Sequence, residues 1–121
     1  MKSEAEIQQA VRVAASKIGG RLWRNNVGAG KLENGSFVRW GLCNESKTMN
    51  EKIKSSDLIG IYPLLITQDM VGTVVGQFWA VETKPEGDTG NDSRRNGQEL
   101  FHAIVRLCGG RAEFNNSGEL K

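Results

Sequence analysis

At 121 residues the chain is long enough to bury one hydrophobic core and too short for two independent ones, so a single domain spanning 1–121 is expected. With 38% hydrophobic and 25% charged residues it has the make-up of a globular protein, and no run approaches the ~20 consecutive apolar residues of a membrane-spanning helix, which excludes a helical membrane protein. A net charge of +2 singles out no partner, yet ten Lys/Arg against six Asp/Glu in residues 1–60, and six against eight in 61–121, permit a basic contact face.

Met1 to Glu6 run straight into an acidic amphipathic pattern and lack the apolar core of a secretory signal, so a cytoplasmic location is expected. Cys43 and Cys108, 65 positions apart, are then expected as free thiols. Two cysteines and the single His102 supply no zinc-ligand spacing.

Ser3 can cap a first helix, with Glu6 three residues on in capping-box register. Ile7, Val11, Ala14, Ala15 and Ile18 recur at helical spacing until Gly19-Gly20. Glu4 stands three before Ile7 and extends the apolar stripe, whereas Glu6 points away from it. Arg21 to Val27 reads as a short strand leading into Gly28-Ala29-Gly30. Residues 31–36, with Asn34-Gly35 inside, read as a hairpin turn, and Ser36 to Trp40 as a second strand. The polar, lysine-rich and aperiodic residues 41–54 are expected as an exposed loop.

Asp57 to Tyr62 is a buried-strand candidate that stops at Pro63, and Leu64 to Met70 fits either a strand or an irregular excursion. Val74 to Lys84 is the strongest strand pattern of the chain. Phe78 and Ala80 share one face with Glu82 in register, and Trp79, Val81 and Thr83 share the other. After a Gly/Asp-rich loop over 85–91, a second helix is expected from Ser93 to Cys108. Its apolar side is Leu100, Phe101, Ile104, Val105, Leu107 and Cys108, and Gly109-Gly110 end it. His102, beside Phe101, reads as a packing or surface residue. Arg111 to Phe114 forms a last short strand, and 115–121 a loose tail. The order helix, strands, helix, strand defines a mixed α/β domain.

Asp57 begins one strand and Glu82-Thr83-Lys84 ends the next strong one, so the carboxylate and the ExK can converge on one point. Alternation permits it, because positions 82 and 84 face the same side. Two carboxylates and a backbone carbonyl, that of Thr83, suit a hard divalent ion such as Mg²⁺ or Mn²⁺. Such an ion stabilises charge on a phosphodiester and acidifies bound water. Lys84 would then orient that water or help deprotonate it, and stabilise the developing charge. Against this stands the ordinary habit of charged residues to flank strand ends.

Wider context singles out a family. Ser55-Ser56-Asp57-Leu58-Ile59-Gly60-Ile61, then Phe78 to Lys84, then Gln98 and Phe101 on a helix ending in Gly109-Gly110, resembles the VRR-NUC family of PD-(D/E)xK nucleases. Glu4-x-x-Ile7-Gln8 and Trp23 to Gly28 look like it too, so the resemblance covers residues 4 to 117. That family includes free-standing phage and bacterial proteins and the catalytic domain of the Fanconi-associated nuclease. The resemblance implies a restriction-endonuclease-like core, a mixed central sheet flanked by helices. In it Asp57 and Glu82 would be metal ligands, Lys84 the catalytic lysine, Gln98 a further active-site residue and Glu4 the helix-borne acid completing the metal shell. The chain departs from the family pattern at Ser56, where the superfamily name has proline.

Arg24, Asn25 and Asn26 are candidates for phosphate or sugar contacts that position a duplex without reading its sequence. Lys54, with Lys47 and Lys52, and Arg94-Arg95 could flank the same cleft, though solvated surface charge is the commoner fate of any one of them. The expectation is a Mg²⁺- or Mn²⁺-dependent DNA endonuclease in a bacterial or phage-infected cell. The resemblance adds a homodimer cutting branched DNA such as four-way (Holliday) junctions. The length favours selection by shape over base readout. The alternative is a non-cleaving nucleic-acid-binding accessory protein on the same fold, against which the retained Asp57, Glu82 and Lys84 argue.

Overall fold

Two Gly-Gly pairs punctuate the chain, and a long helix ends at each. Helix α1 (Glu4–Lys17) and helix α3 (Arg95–Leu107) both close in the same way, with a left-handed glycine, Gly19 at φ 85° and Gly109 at φ 94°. In α1 the N–H of Gly19 donates to Ser16 O (3.2 Å) and that of Gly20 to Ala15 O (2.9 Å). In α3 Gly109 donates to Arg106 O (3.0 Å) and Gly110 to Val105 O (2.8 Å). This paired pattern satisfies carbonyls that the helix itself leaves without donors. At the other end of α1, Glu6 N donates to Ser3 Oγ (3.2 Å), one arm of the expected capping box.

The structure, a computed structural model, describes residues 1–88, 90 and 94–120. Among these residues the chain is mixed α/β, with three helices and short antiparallel and parallel strand pairs. Besides α1 and α3 it contains β1 (Arg21–Arg24), β2 (Gly28–Lys31), β3 (Phe37–Trp40), α2 (Lys47–Lys52), β4 (Leu58–Ile61), a 3₁₀ turn (Gln68–Met70), β5 (Trp79–Thr83) and β6 (Arg111–Asn115). Two compact units emerge, Met1–Ala14 with Leu22–Gly60, and Ala15–Arg21 with Ile61–Lys121. No helix among the described residues is long and apolar enough to cross a membrane.

In the first unit β2 and β3 form an antiparallel hairpin in the register Gly28↔Trp40 to Lys31↔Phe37. Gly35 at φ 86° turns the chain, aided by Ser36 N donating to Asn34 Oδ1 at 2.9 Å. The hairpin partner is therefore Gly28–Lys31, whereas β1 pairs with β4. Buried Asn44 closes the open end of the hairpin. Its amide donates to Gly28 O (2.7 Å) and Trp40 O (2.9 Å), and its oxygen accepts from Arg39 (3.2 Å). The expected loop over 41–54 contains helix α2. Ser46 caps it by accepting from Met49 N at 3.1 Å, a single hydroxyl sufficing where no apolar period advertises a helix. The apolar stripe of α1 stays on the surface, for none of its residues is buried.

In the second unit β5 and β6 run parallel in the register Trp79↔Arg111, Ala80↔Ala112, Val81↔Glu113, Glu82↔Phe114, Thr83↔Asn115. Parallel neighbours need a crossover, and α3 is that crossover, packed on both strands. The strand expected from Val74 begins only at Trp79. The bond from Arg111 N–H to Phe78 O (2.8 Å) is where β6 meets the segment before Trp79, and Val74 to Gln77 are exposed. Ser93, the expected first residue of α3, lies outside the described residues.

The buried stripe of α3 also differs from its apolar pattern. It runs through Gln98, His102 and Val105, spaced i, i+4, i+7, with Val105 0% and His102 3% exposed, while Leu100 and Leu107 face out. The tail expected after Phe114 is ordered over 115–119. Asn115 Oδ1 accepts from Ser117 N (3.1 Å) and Gly118 N (2.8 Å), and its amide donates to Glu119 O (2.8 Å).

Two glycine substitutions test this packing with opposite signs. A Cβ at Gly110 would stand 2.7 Å from Val105 Cγ1 and 3.1 Å from Phe78 O, so Gly110→Ala should cost about 1–3 kcal/mol. Gly97, inside α3, has open space around it, and Gly97→Ala should stabilise by roughly 0.5–1 kcal/mol. Urea unfolding midpoints measure both; a Gly110→Ala protein as stable as the parent would contradict the packing of Gly110 on α3.

Candidate active site

The exit of β5 carries Glu82, Thr83 and Lys84. Alternation turns Ala80 and Glu82 toward α3 and leaves Val81 and Thr83 on the outer face. Gln98, in the first turns of α3, meets Glu82 there, its Nε2 donating to Glu82 Oε1 at 2.9 Å. A carboxylate on a strand end would otherwise sample several rotamers, and this bond orients it. Backbone pairing carries the order one step further, with Lys84 N donating to Asn115 O at 2.9 Å. Lys84 then lines an open pocket of about 240 Å³ together with Asp88, Gly90, Arg95, Phe114 and Asn116.

Arg95 forms one side of that pocket. Its guanidinium lies 3.6 Å from the centre of the Phe114 ring and pairs with Asp88 (3.1 Å) and Glu99 (3.4 Å). Stacking on the aromatic and bridging to two carboxylates hold this guanidinium in one orientation, with its charge offset by Asp88 and Glu99. His102 also packs on Phe114, ring centroids 4.6 Å apart. Burial holds the imidazole below its ordinary pKa of 6.5, and neighbouring Arg106 and Arg95 act in the same direction against the weaker pull of Glu82 and Glu99. Of the two expectations for His102, packing or surface, its burial gives the first, and the same burial favours the neutral ring. Trp79 donates to Glu113 (2.5 Å), which with Arg111 holds that carboxyl below the usual range, on the face away from α3.

In the other unit Asp57 stands exposed immediately before β4. The segment leading to it is tied to the end of β1. Asn25 N donates to Asp57 O (2.8 Å), and Asn25 Nδ2 donates to Ser55 Oγ (2.8 Å) and Ser56 O (2.8 Å). Asn25 therefore spends its amide hydrogens inside the unit and not on a ligand. Glu4 lies in the exposed first turn of α1, where Gln8 donates to it at 3.5 Å and the helix dipole favours an acid. Arg24 and Asn26 are exposed and interact with each other (3.5 Å), Lys54 donates to Asn50 (2.8 Å), and exposed Arg94 occupies the position before α3.

The structure thus brings Gln98 to Glu82, sets Lys84 beside Arg95, and gathers Asn25 and Ser55 at Asp57. Among the described residues no three His, Cys, Asp or Glu side chains form a metal-binding group. Gln98 Oε1 is buried and has no hydrogen-bond partner among the described residues, although its Nε2 holds Glu82. A spare acceptor beside an oriented carboxylate fits a divalent ion that binds through one or two carboxylates and keeps several waters, since those waters are donors. Asp88, Phe114 and Asn116 had no signal in the sequence that tied them to the site, because the loop after β5 and the turn after β6 meet only in the fold. Comparison with family models, curated proteins and solved structures finds no match to this chain.

The neutral state of His102 has a signed consequence. The unfolded chain binds this proton with a pKa near 6.5 and the folded chain more weakly, so the contribution to stability is complete above 6.5 and declines on acidification. Between about pH 7.5 and 5.5 the thermal midpoint should fall, and His102→Leu should flatten that slope. An equal slope in both proteins would mean that the folded state tolerates a charged His102.

Proposed function

We propose that the chain is a divalent-metal-dependent endonuclease of DNA, built on a PD-(D/E)xK core of the VRR-NUC type. The observation that carries this reading is the exit of β5. A glutamate oriented by a glutamine from the crossover helix is followed two residues later by a lysine in a pocket with a stacked arginine. A strand end with only incidental charge has no reason to recruit a buried amide to one carboxylate.

Glu82 is the ligand whose orientation Gln98 sets, with the Thr83 carbonyl beside it in sequence. Asp57 is the second carboxylate such an enzyme requires, and Glu4 the further acid that the resemblance supplies. The bound Mg²⁺ or Mn²⁺ supplies Lewis acidity toward the phosphodiester and a water of lowered pKa. Lys84 donates to the charge that develops as water adds to phosphorus. Arg95 at the pocket wall, with Arg94, Arg24, Asn26 and Lys54 on the surface, offers positive charge or hydrogen bonds to the backbone of the DNA.

A homodimer acting on branched DNA completes the proposal. One chain holds one centre, resolving a four-way junction takes two cuts, and two-fold symmetry places two centres on opposite strands. Exposed Trp40 and Leu64-Leu65-Ile66 offer apolar contact area, and Trp23 is half-buried.

Asp57→Ala or Glu82→Ala should abolish cleavage and metal binding with the fold retained by circular dichroism. Lys84→Ala should keep both metal and DNA affinity but cut at least ~100-fold more slowly. Retained cleavage in Asp57→Ala would remove that residue from the site. DNA binding without cleavage in any metal would favour a non-cleaving nucleic-acid-binding protein. Sedimentation with four-way and linear duplex substrates tests the remainder: a monomer at micromolar concentration that cuts both equally would exclude the junction-resolving dimer.

A further inference from the structure

Asn25 lies at the end of β1, and every polar group of its side chain is used. Its two amide hydrogens go to Ser55 Oγ (2.8 Å) and Ser56 O (2.8 Å), and its Oδ1 accepts from Leu42 N (3.4 Å). Ser55 Oγ passes its own hydrogen to Leu42 O (2.9 Å), which closes a ring of hydrogen bonds through Asn25, Leu42 and Ser55. The backbone N–H of Asn25 adds the bond to Asp57 O at 2.8 Å. Four bonds therefore reach the three residues Ser55, Ser56 and Asp57 or the loop beside them, at the point where an irregular segment enters β4.

Asp57 itself is exposed, and the backbone on its N-terminal side, residues 53–56, belongs to no helix or strand. The Asn25 bracket fixes the approach to Asp57 at three consecutive residues, so it determines where the Asp57 carboxylate begins its reach. We propose that Asn25 is a positioning residue for Asp57, holding its backbone so that the carboxylate meets a divalent cation without an ordering cost. This rests on the assignment of Asp57 as a ligand. It goes beyond that assignment in giving Asn25 a role in metal affinity in place of a contact with nucleic acid.

The chemistry of the bracket demands an amide. Aspartate keeps the acceptor for Leu42 N but has no hydrogens for Ser55 Oγ and Ser56 O, and alanine has neither. Groups that orient metal ligands are typically worth ~10–100-fold in affinity.

The test is Mn²⁺ titration calorimetry of wild type, Asn25→Ala, Asn25→Asp, Ser55→Ala and Asp57→Ala, with melting curves and cleavage rates against Mn²⁺ concentration. Both Asn25 variants should bind Mn²⁺ at least ~10-fold more weakly. Their maximal rate at saturating Mn²⁺ should lie near that of wild type, and their affinity for an uncleaved junction in Ca²⁺ should be unchanged. Ser55→Ala, which removes two bonds against the three side-chain bonds lost in Asn25→Ala and leaves the one to Ser56 O, should show a smaller loss than Asn25→Ala in the same direction. A general destabilisation would not raise the Mn²⁺ requirement while sparing the maximal rate. Mn²⁺ affinity unchanged in a folded Asn25 variant overturns the proposal, as does failure of both Asn25 variants to fold, which would assign the bracket to the fold alone. If Asp57→Ala binds Mn²⁺ like wild type, it is the ligand assignment that has failed.

Discussion

Parallel pairing of β5 with β6 constrains the second unit more than any other feature. Two parallel strands cannot be joined by a turn, so the chain must leave the end of β5, cross one face and return, and α3 is the segment that does so. The face of β5 that looks at α3 is thereby decided, and with it the environment of Glu82. The same crossover sets Gln98 and His102 one turn apart beneath β5 and β6, with fully buried Val105 sealing the end of the stripe. The oriented carboxylate is a consequence of topology before it is a consequence of side-chain choice.

Polar atoms occupy positions in this unit where an ordinary core would place methyl groups. The α3 stripe consists of an amide, an imidazole and a valine, and the first two leave Gln98 Oε1 and His102 Nδ1 buried without partners among the described residues. Unpartnered buried polar atoms cost stability, and native proteins retain few of them. Here both lie on the helix face that meets Glu82 and Phe114, and Arg95 stacks on the same phenyl ring. Apolar packing is traded for polar reach beside the carboxylate, the exchange expected where a surface serves chemistry.

The first unit solves a different problem by the same means. Its strands are four residues each and its buried residue Asn44 is an amide, so hydrogen bonds to backbone oxygens do the joining that a larger core would do by area. Asn44 ties the hairpin ends and Asn25 ties β1 to the entry of β4. Two asparagines, short enough to bond the backbone with little entropy lost, set the local geometry.

Much of this was legible in the residues themselves. The helix ends at Gly19-Gly20 and Gly109-Gly110, the Ser3 cap, the Asn34-Gly35 turn and the strand around Ala80 and Glu82 follow from local chemistry, which acts over a few residues and so is written in order along the chain. The pairing of Gln98 with the β5 face could be read from helical spacing once a crossover was assumed. The rest depended on contacts between distant positions. The extent of β5 is set by its parallel register with β6, from Trp79 opposite Arg111 to Thr83 opposite Asn115, and Asn25 turns inward because Ser55, Ser56 and Leu42 come to it. A hydrogen-bond donor looks the same in a sequence whether it will meet a phosphate or a carbonyl. Only the folded chain, by bringing positions 25 and 55 together, decides which.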